Sequence, residues 1–100
     1  MSKKSNANTN SDHADELKVR LDKWLWAARF YKTRAVAREM VQGGKVHYNG
    51  QRTKASKIVD VGAKVKLAQG VDEKLITILT VLEKRQSAPI AQTMYQESDA

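Results

Sequence analysis

Apolar residues recur at helical spacing in two short stretches, and further along they alternate. Leu21, Leu25 and Ala28 fall on one stripe of a helix, widened by Trp24 and Tyr31. Asp22 is expected to cap this first helix, which the spacing carries to about Tyr31. Leu21 and Trp26 flank that cap at the spacing of a hydrophobic staple. Trp26 and Phe30 lie on a different side, one turn apart, with Lys23 and Arg29 nearby. Lys32-Thr33 breaks the pattern, and Thr33 is expected to cap a second helix over Arg34 to Gln42. Val36, Ala37, Met40 and Val41 form its expected apolar face. Gly43-Gly44 ends it, with Gly43 expected in the left-handed conformation of a helix terminus.

Beyond the glycines the period changes to two. Asn49-Gly50 separates two short alternating runs, the strongest local signal for a hairpin, because a type I′ turn requires positive φ at both central residues. With that turn Tyr48 opposes Gln51, His47 opposes Arg52 and Lys45 opposes Lys54. Val46 and Tyr48 then share the core face, and Lys45, His47, Arg52 and Lys54 share the other. Lys64 to Ala68 alternates again and is expected to pair with Leu75 to Glu83, across a polar loop from Gln69 to Glu73. After Glu83 the pattern fades, and only a weak helical signal remains around Ile90 to Tyr95. Residues 1–16 are polar and charged, carry His13, and read as a disordered tail. The chain thus divides into a head over 1–16, one domain over 17–83 and a loosely held tail over 84–100. The fold class is α+β: two N-terminal helices packed on a small, mostly antiparallel sheet.

Charge adds what periodicity does not. The 100 residues carry a net charge of +7. Residues 20–57 hold ten basic and two acidic side chains, whereas the segments on either side are close to neutral. An excess confined to one block attracts a polyanion, so nucleic acid is the expected partner. No long amphipathic helix accompanies the charge, which argues against a membrane surface. The most apolar run, Leu75 to Leu82, is far too short to span a bilayer. The N-terminus has no apolar core after its lysines, so it does not read as a secretory signal. Absence of cysteine excludes disulfides and thiolate chemistry and fits a cytoplasmic protein.

The second helix breaks two local rules. Lys32 and Arg34 put positive charge at its N-terminus, against the macrodipole. Arg34 and Arg38 are like charges one turn apart. Such inconsistencies tend to mark functional sites, and a helix N-terminus with arginines suits phosphate. The bland reading is that both arginines meet carboxylates elsewhere in the fold. The hairpin repeats the theme, because like charges opposed across a ribbon are destabilising. Arg20, Lys32, Thr33, Arg34, Arg38, Lys45, His47, Arg52 and Lys54 are therefore the expected nucleic-acid contacts. Aromatics placed like Trp26 and Phe30 stack on bases in some RNA readers, but core positions are the expectation for both. There is no glycine-rich nucleotide loop, no paired-histidine metal spacing, and no serine or carboxylate beside His47 in sequence to form a relay. Neither an enzyme nor a cofactor or metal is expected.

These residues resemble a known module. Arg20-Leu21-Asp22, Thr33-Arg34 opening a helix with Ala37-Arg38, and Gly44-Lys45-Val46-His47-Tyr48-Asn49-Gly50 are similar to the RNA-binding domain named after the small-subunit ribosomal protein S-four, also called the alpha-L motif. Tyr48 stands where that pattern usually has valine. The flanks, from Asp22 through Trp24, Trp26 and Phe30 to Arg34 and from Gly44 to Arg52, resemble the family of small ribosome-associated heat-shock proteins called Hsp-fifteen. The resemblance implies a stand-alone RNA binder whose surface is the helix pair plus the hairpin. It also implies association with free large ribosomal subunits that carry a nascent chain on tRNA, aiding recycling after heat stress. Members of that family continue into a basic C-terminal segment, whereas residues 84–100 here end acidic. A monomer in the cytoplasm, bound to ribosomal RNA and in contact with peptidyl-tRNA, is the resulting expectation. Two short helices followed by a hairpin also suit a winged helix, so a DNA-binding regulator stands as the alternative.

Overall fold

The structure, a computed structural model, describes residues 18–98. The tail read over 1–16, with His13, lies outside the described residues. Two helices come first, α1 over Leu21–Ala27 and α2 over Arg34–Gln42. The strands β1 (Val46–Tyr48), β2 (Gln51–Arg52), β3 (Lys64–Gln69) and β4 (Asp72–Ile78) follow. A short α3 (Ala88–Ala91) runs through a 3-10 turn at Gln92–Met94 into β5 (Tyr95–Ser98). The sheet order is β2-β1-β3-β4-β5 and every neighbouring pair is antiparallel. The architecture is the expected α+β one.

α1 begins differently from the expectation. Its N-cap is Arg20, and Asp22 sits inside the first turn, 2% exposed. A side-chain cap is unnecessary because distant carbonyls meet the helix's first donors. The N–H of Leu21 donates to Lys57 O at 2.7 Å and that of Asp22 to Ala55 O at 3.2 Å. The residues at staple spacing become Val19 and Trp24, both buried in one cluster. α2 starts where the sequence indicates, with the Thr33 hydroxyl accepting the Val36 N–H at 3.0 Å. Ala37 and Val41 are fully buried, whereas Val36 is 39% exposed, so the buried face is narrower than its apolar pattern. The left-handed residue is Gly44 (φ 79°), and Gly43 is not (φ −79°). The helix ends at Gln42 as expected and closes in a Schellman motif, with Lys45 N bonded to Met40 O and Gly44 N to Val41 O.

The hairpin has the expected turn and register. Asn49 and Gly50 both have positive φ, and His47 opposes Arg52 as Tyr48 opposes Gln51. β1 also pairs with β3, so it is an interior strand. Leu67, Val65, Ile76 and Ile78 continue the core face of Val46 and Tyr48 beneath the helices. β3 and β4 meet at a tighter turn than the sequence suggested, because pairing runs to Gln69↔Asp72. β4 also ends at Ile78 rather than Glu83, where the chain leaves the ladder and the N–H groups of Leu79 and Thr80 turn to Met94 O.

The segment after Glu83 is not loosely held. Ala91 and Met94 are buried, β5 pairs with β4, and the Tyr95 ring packs 4.5 Å from that of Phe30. These contacts depend on partners dozens of residues away, which no local period records. Phe30 is buried and Trp26 half-buried, so both take the expected core role.

Tyr31 links the end of the helical layer to the sheet. It is 7% exposed, its hydroxyl donates to Ala68 O, and burial pushes its pKa up to about 12 from 10.0. Tyr48 is shifted in the same direction, chiefly by burial. A raised tyrosine pKa means the folded state keeps its proton when the unfolded chain has lost it. Stability from Tyr31 is therefore complete below pH 10.0 and declines as pH rises towards about 12. Thermal melts across that range should show a falling Tm, and Tyr31→Phe should flatten the fall while losing about 1 kcal/mol at neutral pH with the hydrogen bond.

Candidate nucleic-acid interface

The basic block forms two adjoining regions, one at each end of α2. At the N-terminal end Lys32, Thr33, Arg34 and Arg38 are all exposed. Among the described residues, no carboxylate lies within ion-pair distance of Lys32, Arg34 or Arg38. The bland reading of the two arginines thus finds no support among those residues. Thr33 accepts the capping bond, and its hydroxyl proton remains to donate outward.

At the other end lies the outer face of the hairpin. His47 is half-buried between Arg52 on β2 and Lys66 on β3, its cross-strand neighbours. Lys66 and the nearby Lys64 extend the basic face one strand further than the sequence reading did. Their signal was the alternation of β3, which became useful only once β1 was known to pair with it. Lys66 lies 3.7 Å from Glu73, and the Lys64 ammonium 3.2 Å from the Thr77 hydroxyl. Lys45 and Lys54 are exposed but do not face each other across the ladder, which ends at His47↔Arg52. The chain turns away after Arg52 to bring the carbonyls of Ala55 and Lys57 to α1, and Lys45 O instead accepts from Ala68 N.

Two expected contact residues have structural partners as well. Arg52 donates to Gln42 O at 2.9 Å, at the C-terminal end of α2, where the macrodipole favours a cation. Its guanidinium lies 3.3 Å from where a Cβ on Gly44 would be, so Gly44 is both left-handed and tightly covered. Arg20 forms a fork with buried Asp22, Nε to Oδ1 at 3.2 Å and Nη2 to Oδ2 at 3.1 Å. Arg20 and Lys54 line one shallow cleft with Gln42, Thr53, Ala55 and Ser56. Arg34 and Gln42 stand about 12 Å apart at the rise of an α-helix, so the two regions are separated by one short helix. Tyr48 stays beneath, its hydroxyl accepting Asp60 N–H at 2.9 Å and its ring 5.3 Å from the Lys57 ammonium.

The turn that aims α2 is held from the far end of the chain. Arg85 Nη1 donates to Trp26 O at 2.7 Å and Tyr31 O at 3.2 Å, and its guanidinium sits 5.6 Å from the Trp26 ring. Gln86 N bonds Ala27 O, Arg29 reaches back to Gln86 O at 3.1 Å, and the Gln69 amide donates to Phe30 O at 3.1 Å. Arg29 itself adopts a left-handed φ of 66°. No local pattern of residues signals this clasp. Among the described residues no group of three or more metal-ligating side chains comes together, and no helix is long and apolar enough to cross a membrane.

The model of the S4 domain family matches residues 19–65. The chain is 60% identical over 82 residues to the heat shock protein 15 homolog of Aeromonas salmonicida, covering 82% of this chain and 62% of that protein. It thus spans a little under two thirds of the length of such relatives. It is 32% identical over 79 residues to the RQC P-site tRNA stabilizing factor of Halalkalibacterium halodurans, covering 78% of this chain and 88% of that one. Among solved structures, the trimeric heat shock protein 15 of Vibrio cholerae superposes with a TM-score of 0.81 at 62% identity, over 82% of this chain and 83% of that one. That protein's trimer stands against the monomer expected from the sequence. Self-association depends on which surfaces the fold leaves uncovered, and residue patterning does not report them.

Arg85→Ala should lower stability by about 1.5 kcal/mol, the low end for bonds to a charged donor that is half-exposed. Thermal melting should register this as a fall of about 6–12 °C for a domain of this size.

Proposed function

The chain belongs to the heat shock protein 15 family of S4-domain proteins, and from that premise we propose that it binds structured ribosomal RNA on free large ribosomal subunits. It acts there without catalysing a reaction, on subunits that still carry a nascent chain on tRNA, and aids their recycling after heat stress in the cytoplasm. The observation that carries this reading is the pair Arg34 and Arg38, exposed on α2 with no carboxylate in reach among the described residues. A polyanion supplies the countercharge these side chains lack. Lys32 and Thr33 extend the grip at the same end, and Lys45, His47, Arg52 and Lys54 extend it along the hairpin. Contact with the tRNA is supported by the name of the Halalkalibacterium halodurans relative, a P-site tRNA stabilizing factor. A DNA-binding regulator has less support, because β1 is bonded on both sides and the hairpin is one edge of a five-stranded sheet rather than a free wing.

Co-sedimentation with separated large subunits, small subunits and whole ribosomes tests the proposal. Binding should favour free large subunits. If about five phosphates are engaged, the logarithm of affinity should fall with the logarithm of salt at a slope of roughly −3.5 to −4.5. A slope near zero, or no binding to any particle by folded protein, contradicts it.

A further inference from the structure

We infer that the cleft at the C-terminal end of α2 seats one ribonucleotide, its phosphate against Lys54 and Arg20 and its ribose 2′-hydroxyl against Gln42, Thr53 and Ser56. This rests on the RNA-binding reading and adds to it the place where RNA is told from DNA.

The polar groups of the cleft divide into those that already have partners and those that do not. Arg20 uses Nε and Nη2 on Asp22, which leaves Nη1 outside the fork on a side chain that is 45% exposed. The buried carboxylate therefore fixes the guanidinium's direction while offsetting its charge. Gln42 has its backbone carbonyl taken by Arg52, but its side-chain amide has no hydrogen-bond partner among the described residues. The Thr53 and Ser56 hydroxyls and the Lys54 ammonium have none either among those residues. All of these groups line the same cleft, whose remaining member is Ala55.

The mixture of groups selects the ligand. A purely anionic ligand calls only for cations, and a stacked base calls for an aromatic or planar face. The cleft has two cations and no aromatic lining residue. Its other three side chains, an amide and two hydroxyls, each donate and accept. The ribose 2′-hydroxyl also donates and accepts, and it is the group that distinguishes RNA from DNA at a given site. A sugar-phosphate unit presents acceptor-only phosphate oxygens beside that hydroxyl, which matches this pairing.

The rim is rigid enough to hold such a unit. Ala55 O accepts the Asp22 N–H, Lys57 O the Leu21 N–H, and Lys57 N donates to Lys54 O at 3.1 Å. These bonds tie residues 54–57 to the start of α1, so the loop that carries Thr53 and Ser56 is ordered before any ligand arrives. By helical rise Gln42 stands about 12 Å from Arg34 and about 6 Å from Arg38, so the cleft adjoins the α2 arginines without sharing a residue with them.

The test uses the full chain with large-subunit ribosomal RNA transcripts made from ordinary or from 2′-fluoro nucleotides. Fluorine keeps the ribose in its RNA-like pucker but cannot donate. Wild type should prefer the ordinary transcript by about two- to tenfold, the effect of one or two neutral hydrogen bonds. The triple variant Gln42→Ala, Thr53→Val, Ser56→Ala, checked for an unchanged Tm, should bind both transcripts alike with an undiminished salt slope. Wild type that binds both equally, or a folded variant that keeps the preference, overturns the cleft assignment and leaves the RNA-binding reading standing. Wild type that binds neither transcript overturns both.

Discussion

α1 is seven residues long, and a helix that short cannot close its own ends. Nearly all its N–H donors at one end and carbonyls at the other would be orphaned in isolation. The fold is organised around meeting them. Ala55 and Lys57 bring carbonyls to the start, and Arg85, Gln86 and Gln69 bring donors to the end and to the turn beyond it. Each supplier is fixed by its own element. The loop after β2 is bridged to Arg20 through Ile58, Gln69 ends β3, and the segment with Arg85 and Gln86 is followed by α3, buried Met94 and β5. The direction of α2 follows from the turn so held.

That arrangement explains how α2 tolerates its charges. Lys32 and Arg34 oppose the macrodipole, and Arg34 and Arg38 repel each other, each effect a few tenths of a kcal/mol to about 1 kcal/mol. Burial of Ala37 and Val41, the Thr33 cap and the Schellman closure at Gly44 offset these penalties. Arg52 at the opposite end follows the dipole instead of fighting it. The unfavourable charges thus sit on a helix secured from below and at both ends, turned outward.

What the sequence made legible was local. Thr33 three residues before Val36, and Asn49-Gly50 between alternating residues, carry their own geometry. They yielded the bounds of α2, the hairpin register and the core side of β1. The confinement of charge to residues 20–57 was equally plain. What escaped depends on partners far along the chain. Asp22 looked like a cap because capping is the local use for an aspartate at a helix start, yet carbonyls from residues 55 and 57 had made a cap unnecessary. Arg85 and β5 carry no local signal at all. Lys66 joined the candidate site only through its pairing with His47. The cleft was half visible, through Arg20 and Lys54; Gln42, Thr53 and Ser56 became neighbours only when α2 ended beside the loop after β2.

On the proposed function, the outward charge on α2 serves binding and not folding. The most direct measurement compares wild type with Arg34→Glu combined with Arg38→Glu, reading Tm and affinity for free large ribosomal subunits on the same preparations. Both side chains lie off the buried stripe, and a glutamate near a helix N-terminus agrees with the macrodipole. The expected result is an unchanged or slightly raised Tm together with lost subunit binding. An unfolded variant, or a folded one that binds as wild type does, would contradict it.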